Sequence, residues 1–231
     1  ILKSPLPQIS PNTMFDHDFS YLSEAEGKSL LSASGISIPS GRMVNRAQCA
    51  EAAKILGFPI ALKMMSSKLP HKTEAGAVKL GITNIPDLER AISEIRASVA
   101  QYDRKAITDN FLIEKMAVPP LAELIIGLHQ DQQFGWALTI GSGGILVELL
   151  EDSKTLLLPT DANQIEKALR SLKICKLLNG FRGKPKADIR HIASKIASLC
   201  LFVQNHESLV RELEINPLFV YEDRTLAVDV L

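Results

Sequence analysis

The closing stretch ELEINPLFVYEDRTLAVDVL, residues 212–231, constrains the fold more than any other part of the chain. Two β-prone runs flank a short acidic turn, the pattern of an antiparallel hairpin. A turn centred between Glu222 and Asp223 sets Asn216 directly opposite Asp229. Side chains alternate along a strand, so Glu212, Glu214 and Asn216 share one face and Leu213 and Ile215 the other, while Asp229 alternates with Val228 and Val230. Asn216, Asp229 and Glu214 thus bring two or three hard oxygen donors onto one sheet face. Such a face suits Mg²⁺, which completes its shell with water and phosphate oxygens; the alternation by itself is that of the solvated side of a two-sided sheet.

The remaining pattern mixes helices with further hairpins. Ser23 with Glu26 forms a capping box for a short helix that stops at Gly35, and Asn45 caps a second one that stops at Gly57. PIALKMM and residues 78–82 read as strands, and Leu88, Ala91, Ile92, Ile95 and Val99 repeat at helical spacing behind Pro86. NFLIEKM is a strand stopped by Pro119-Pro120, and AELIIGLH pairs with FGWALTIG around Asp131-Gln132-Gln133. ILVELLEDSKTLLLP supplies one or two strands, and Asp161 and Asp188 head two more helices. This order implies an α+β fold, or α/β with antiparallel sheets, rather than a doubly wound parallel sheet. A division near residue 110 gives two lobes, 21–109 and 110–231, behind a proline-bearing linker at 1–20. The first residue is Ile, and the chain reads as part of a longer polypeptide.

Lys plus Arg and Asp plus Glu are equal at 26 each, which argues against a dominant nucleic-acid or membrane footprint. No apolar run reaches the ~18 residues that span a bilayer. The three cysteines are widely spaced and form no metal-binding pattern, so a reducing, cytoplasmic setting fits.

Several residues can carry chemistry. Lys63 stands inside the apolar run FPIALKMM, where losing hydration is costly unless an anion offsets it. It is either a sheet-edge lysine that snorkels to water or a phosphate ligand facing a cleft. His71 hangs from the polar loop that follows; it is an ordinary surface histidine or, being neutral near pH 7, a nucleophile able to accept a phosphoryl group. The GSGG loop, with Gly143 and Gly144, presents backbone amides to an anion or is a plain turn. Glu148 is an active-site acid or an outward strand residue. Glu114 and Glu123 flank the proline break; they are surface glutamates, or part of a hinge that offers backbone groups to an adenine edge and a carboxylate to a ribose.

GFPIALKMMSSKLPHKTEAGAVKLGI, IGSGGILVELLED, LLNGFRGKPKAD and LEINPL…AVDVL, in this order, resemble the ATP-grasp (β) portion of NDP-forming acyl-CoA synthetases. These include ADP-forming acetate–CoA ligase and the succinyl-CoA synthetase β subunit. The resemblance covers about Tyr21 to Leu231. It implies an ATP-grasp fold with two α+β lobes, their sheets mixed or antiparallel, enclosing a nucleotide cleft. ATP or ADP and Mg²⁺ are the implied ligands. Lys63 matches the family's phosphate-binding lysine, and Glu114, Lys115, Met116 and Ala117 the adenine hinge. Asn216 and Asp229 match the Mg²⁺ ligands, with Glu214 near them. His71 matches the histidine that relays phosphate, and Arg182 a position expected to meet a phosphate or an acidic partner. The implied activity is an acid–thiol ligase, acyl-CoA + ADP + phosphate ⇌ acid + CoA + ATP. CoA would be bound by a part this chain lacks, upstream in one polypeptide or on a separate α subunit. The other reading of the resemblance is a non-catalytic, ligase-like regulatory module of a larger acyltransferase.

Overall fold

The computed structural model describes residues 22–69, 72–144 and 151–231. The linker reading at 1–20, His71 and Glu148 fall outside these residues. Two antiparallel sheets organise the molecule, as the hairpin pattern requires. The first has the strand order β1-β4-β2-β3, formed by Gly41–Asn45, Asn110–Lys115, Ile60–Met64 and Val78–Ile82. The second has the order β7-β6-β5-β8-β9, formed by Ser153–Leu157, Gly135–Ser142, Ala122–Asp131, Glu212–Val220 and Thr225–Ala227.

Each sheet has its own core. Helices α2 (Cys49–Leu56) and α3 (Ile85–Tyr102) cover the first sheet, burying Ala53, Ile95 and Val99 against Ile60, Leu62, Met64 and Phe111. Helices α4 (Ala162–Ser171), α5 (Cys175–Leu178) and α6 (Ile189–Asn205) cover the second, where Ile165, Leu169, Ile196 and Val203 meet Leu124, Ile126, Leu138 and Ile215. The caps expected at Ser23, Asn45 and Asp161 are formed, each as a reciprocal capping box, with Glu26, Gln48 and Gln164 respectively. The Asn45 box heads a 3-10 turn, Arg46–Gln48, that leads into α2.

The sheets do not part at residue 110. β4 begins there but pairs between β1 and β2, so the crossing falls in residues 116–121, after the strand rather than before it. Helix α1 (Glu24–Ala33) also departs from a simple division of the chain. Leu31 and the following Ile36 are packed in the second core, while Glu24 and Lys28 on the same face reach the first sheet. The three cysteines are buried free thiols, and among the described residues no helix is long and apolar enough to cross a membrane.

Candidate functional site

The closing hairpin has the register its sequence dictates. Leu218 pairs with Ala227, Ile215 bridges Val230, and the Asn216 amide donates to the Asp229 carbonyl at 3.1 Å. Asn216 and Asp229 are therefore opposite each other. Leu213 and Ile215 enter the core, and Glu212, Glu214 and Asn216 face away from it. Past Asn216 the alternation slips by one, because Asn216 and Pro217 together oppose the single position between Leu124 and Ile126 on β5.

Lys63 lies in β2, an interior strand, and is 4% exposed, so it does not snorkel at a sheet edge. Its ammonium donates to Glu24 Oε1 and to the Val228 carbonyl (3.0 Å), with Glu114 Oε2 at 3.2 Å and Asp229 Oδ1 at 4.0 Å. Lys28 joins from α1, 2.6 Å from Glu24 Oε1 and 2.5 Å from Glu114 Oε1. Lys72 closes the cluster from the loop before β3, 3.3 Å from Glu24 Oε2 and 3.5 Å from Asp229 Oδ1. Three ammonium groups and three carboxylates thus meet where α1, the first sheet and the closing hairpin converge. Paired in this way, charges can remain in a low-dielectric interior.

The balance within the cluster is uneven. Burial pushes the Glu24 carboxyl up, but Lys63, Lys28 and Lys72 outweigh it and bring the pKa down to about 2. Burial pushes Lys63 down, and Glu24, Glu114 and Asp229 more than reverse that. Lys28 is lowered by burial and by the neighbouring Lys63. Asp229 is raised by burial and by Glu24 in spite of Lys63 and Lys72, so it has less cationic compensation than its neighbours.

Hard oxygen donors are what a magnesium ion needs from a protein, and it usually retains water and substrate phosphate oxygens. Asn216 and Asp229 fit that role from adjacent positions, and the Asp229 side chain keeps 31% of its surface open. Glu214 is half-buried two residues along the same face. No cluster of three or more His, Cys, Asp or Glu side chains that could hold a metal occurs among the described residues. The donor set fits an ion shared with a ligand better than a permanently caged one.

Other expected positions have different surroundings. Glu114 is 3% exposed with its carboxylate on Lys28 and Lys63, so it is neither a surface glutamate nor placed to bind a ribose. The Lys115 ammonium caps the end of α2 by donating to the Gly57 and Phe58 carbonyls, at 2.8 Å each. The Met116 amide donates to the Pro59 carbonyl, and Ala117 follows it in the crossing segment, which Tyr221 steadies by donating its hydroxyl to the Val118 carbonyl at 2.7 Å. The GSGG amides do not face an anion. Gly143 donates to the Glu123 carbonyl (2.8 Å) and Gly144 to Asn216 Oδ1 (3.1 Å), because β6 runs on through Ser142 and carries the loop across β5. The loop instead orients Asn216, with Glu123 packed against Gly144. Arg182 is exposed in the 180–187 loop, at φ 50° with its guanidinium 5.2 Å from the Phe181 ring, and it forms no contact with the cluster.

Glu24, Lys28 and Lys72 are the residues that reading the sequence overlooked. The signal for two of them is present: Glu24, Lys28 and Leu31 follow i, i+4, i+7 spacing, so the charges continue the buried stripe of α1.

The ATP-grasp domain profile matches residues 14–231. The β subunit of ADP-forming acetate–CoA ligase II of Pyrococcus furiosus is 32% identical over 208 residues, covering 90% of this chain and 88% of that subunit. The ADP-forming 4-hydroxybutyrate–CoA ligase of Nitrosopumilus maritimus is 35% identical over 202 residues, but this chain spans only 29% of its length. Among solved structures, the dinucleotide-forming acetyl-coenzyme A synthetase 1 of Ca. Korarchaeum cryptofilum, in complex with coenzyme A, Ca-AMPCP and HgCl+, superposes with a TM-score of 0.83. The two are 30% identical, and the match covers 90% of this chain and 91% of that one.

Proposed function

This chain belongs to the ATP-grasp family, alongside the β subunits of ADP-forming acetate–CoA ligase, and we propose that it is the nucleotide-handling part of an ADP-forming acyl-CoA ligase. The observation that carries the reading is the meeting of Asn216 and Asp229, opposite each other in the hairpin, with the ammonium groups of Lys63 and Lys72 at 4.0 and 3.5 Å from Asp229. Oxygen donors beside ammonium groups match a magnesium–polyphosphate, whose charge must be neutralised and whose phosphates must be positioned for in-line transfer.

In this reading Asn216 and Asp229, with Glu214 close by, would hold Mg²⁺, which would supply charge neutralisation to the phosphates. Lys63 moves from its carboxylates to the phosphates. The backbone of Met116 and Ala117 lies along the adenine, and Glu123, Gly143 and Gly144 form the floor beside it. His71 carries the phosphoryl group. In the ATP-forming direction, a β-phosphate oxygen of ADP attacks the phosphorus on His71 while the other ring nitrogen carries a proton; the N–P bond breaks, an O–P bond forms, its electron pair returns to the ring, and neutral imidazole is left. Acid and CoA chemistry belong to a CoA-binding part, in the same polypeptide or on an α subunit, against which Arg182 is placed as a contact. A cytoplasmic setting accords with three reduced, buried thiols.

The test uses γ-labelled ATP and Mg²⁺, with and without the CoA-binding part. Label that is acid-labile, alkali-stable and lost in His71→Ala is expected. Intact nucleotide binding with no label in the presence of that part would instead favour a metabolite-sensing module. For the metal, Asp229→Ala is expected to weaken Mg-ADP binding at least tenfold, about 1.4 kcal/mol, in calorimetry with an unchanged circular dichroism spectrum. Unaltered affinity would remove Asp229 from the site.

A further inference from the structure

We infer that Glu24 is a positioning residue that holds Lys63 and Lys72 back from Asp229 and so keeps that carboxylate open to a divalent cation. The inference rests on the reading of Asp229 as a metal ligand. Glu24 touches every cation of the cluster: Oε1 meets Lys28 and Lys63, and Oε2 meets Lys72. Both lysines that flank Asp229 are nearer to Glu24. Lys72 lies 3.3 Å from Glu24 and 3.5 Å from Asp229, and Lys63 donates directly to Glu24 while staying 4.0 Å from Asp229. Coulomb attraction falls with distance, so the deeper carboxylate has the stronger hold on both. Burial separates the two acids in the same sense, since the Glu24 side chain is sealed from solvent whereas 31% of Asp229 is open.

Glu24 Oε2 is also buried without a hydrogen-bond donor, although Lys72 is within ion-pair range. An acceptor left in that state is costly. Its value lies in the field it exerts on Lys72 rather than in a bond. Remove that charge, and Asp229 becomes, among the described residues, the only carboxylate Lys72 contacts. Lys63 is then left with Glu114 and Asp229. Both ammonium groups would settle on Asp229 and compete with a metal there. The role is therefore specific to the cation. A nucleotide without metal gains nothing from Glu24, and loses nothing when its charge is removed.

Calorimetric titration of the whole chain with ADP, at graded Mg²⁺ and in EDTA, distinguishes this from a general structural role. Glu24→Gln is expected to raise the Mg²⁺ concentration for half-maximal ADP binding about fivefold or more, leave affinity in EDTA unchanged or higher, and be partly rescued in Glu24→Asp. Lys72→Met, which removes a competitor, is expected to shift the Mg²⁺ requirement the other way, and keeps the inference testable if Glu24→Gln does not fold. Equal losses with and without Mg²⁺, or a Mg²⁺ requirement unmoved in both variants, would overturn it. Asp229→Asn separates the two layers. If it abolishes the Mg²⁺ dependence while the Glu24 and Lys72 variants do not shift it, only the role of Glu24 is refuted. If it has no effect, the metal reading fails and takes this inference with it.

Discussion

Lys63 shows at the scale of one residue how much of a site a sequence reveals. Its placement in an apolar run made it conspicuous, since a buried ammonium needs compensating charge. The compensation is internal, from Glu24 and Glu114, with Asp229 beyond them. Removing one member of a buried ion cluster leaves its partners uncompensated, and typical costs are about 3–5 kcal/mol. Lys63→Met is therefore expected to lose about that much in urea denaturation, and Lys63→Met with Glu24→Gln to recover part of it. Additive losses would show that the two do not interact. The lysine was legible because the anomaly is local. Its partners were not, because Glu24 lies 39 positions away on a helix whose charged face reads, by itself, as an ordinary i,i+4 pair.

At the scale of elements, strand pairing was legible wherever a turn fixed it. A turn between Glu222 and Asp223 leaves only one register, and Asn216 and Asp229 follow from it. The lobe boundary was not legible, because the apolar pattern of NFLIEKM says that it is a strand and not which sheet it joins. Nor does the pattern reveal what the GSGG loop rests on. Asp152, 8% exposed, accepts from the Ser142 hydroxyl at 2.8 Å and from the Lys173 and Ile174 amides at 2.8 and 2.9 Å, tying the end of β6 to the turn before α5. Burial pushes its pKa up, but these donors outweigh burial and hold it below the ordinary carboxylate value. A folded-state value below the unfolded one contributes stability above the unfolded pKa and loses it as pH falls through the folded one. Asp152→Asn is thus expected to cost about 1–3 kcal/mol at pH 7. The gap to wild type should narrow below about pH 4. A gap that stays constant from pH 7 to pH 3 would mean that the carboxylate charge contributes nothing.

For the whole molecule, the arrangement of apolar and polar contacts implies an order of unfolding. Each sheet has a separate core, and among the described residues the second is the larger. What joins them is mostly polar: the ion cluster, Lys63 donating to the Val228 carbonyl, and α1, which is anchored in the second core at Leu31 while offering Glu24 and Lys28 to the first sheet. Polar links of this kind orient the lobes and do little to make their unfolding one event, which for most small single domains an undivided core ensures. The first lobe, with the smaller core, should therefore unfold first. Trp136, the chain's single tryptophan, is buried in the second core, so its fluorescence reports that lobe alone, whereas far-ultraviolet dichroism reports both. Without nucleotide, the fluorescence midpoint in urea is expected above the dichroism midpoint. On the proposed reading, a ligand held by Lys63 from one sheet and Asp229 from the other binds only when both lobes are folded, and at 100 times its Kd it stabilises that state by about 2.7 kcal/mol. Saturating Mg-ADP should therefore raise the dichroism midpoint toward the fluorescence one and merge the two transitions. Coincident transitions in the absence of nucleotide would show that the ion cluster already couples the lobes as strongly as a shared core would.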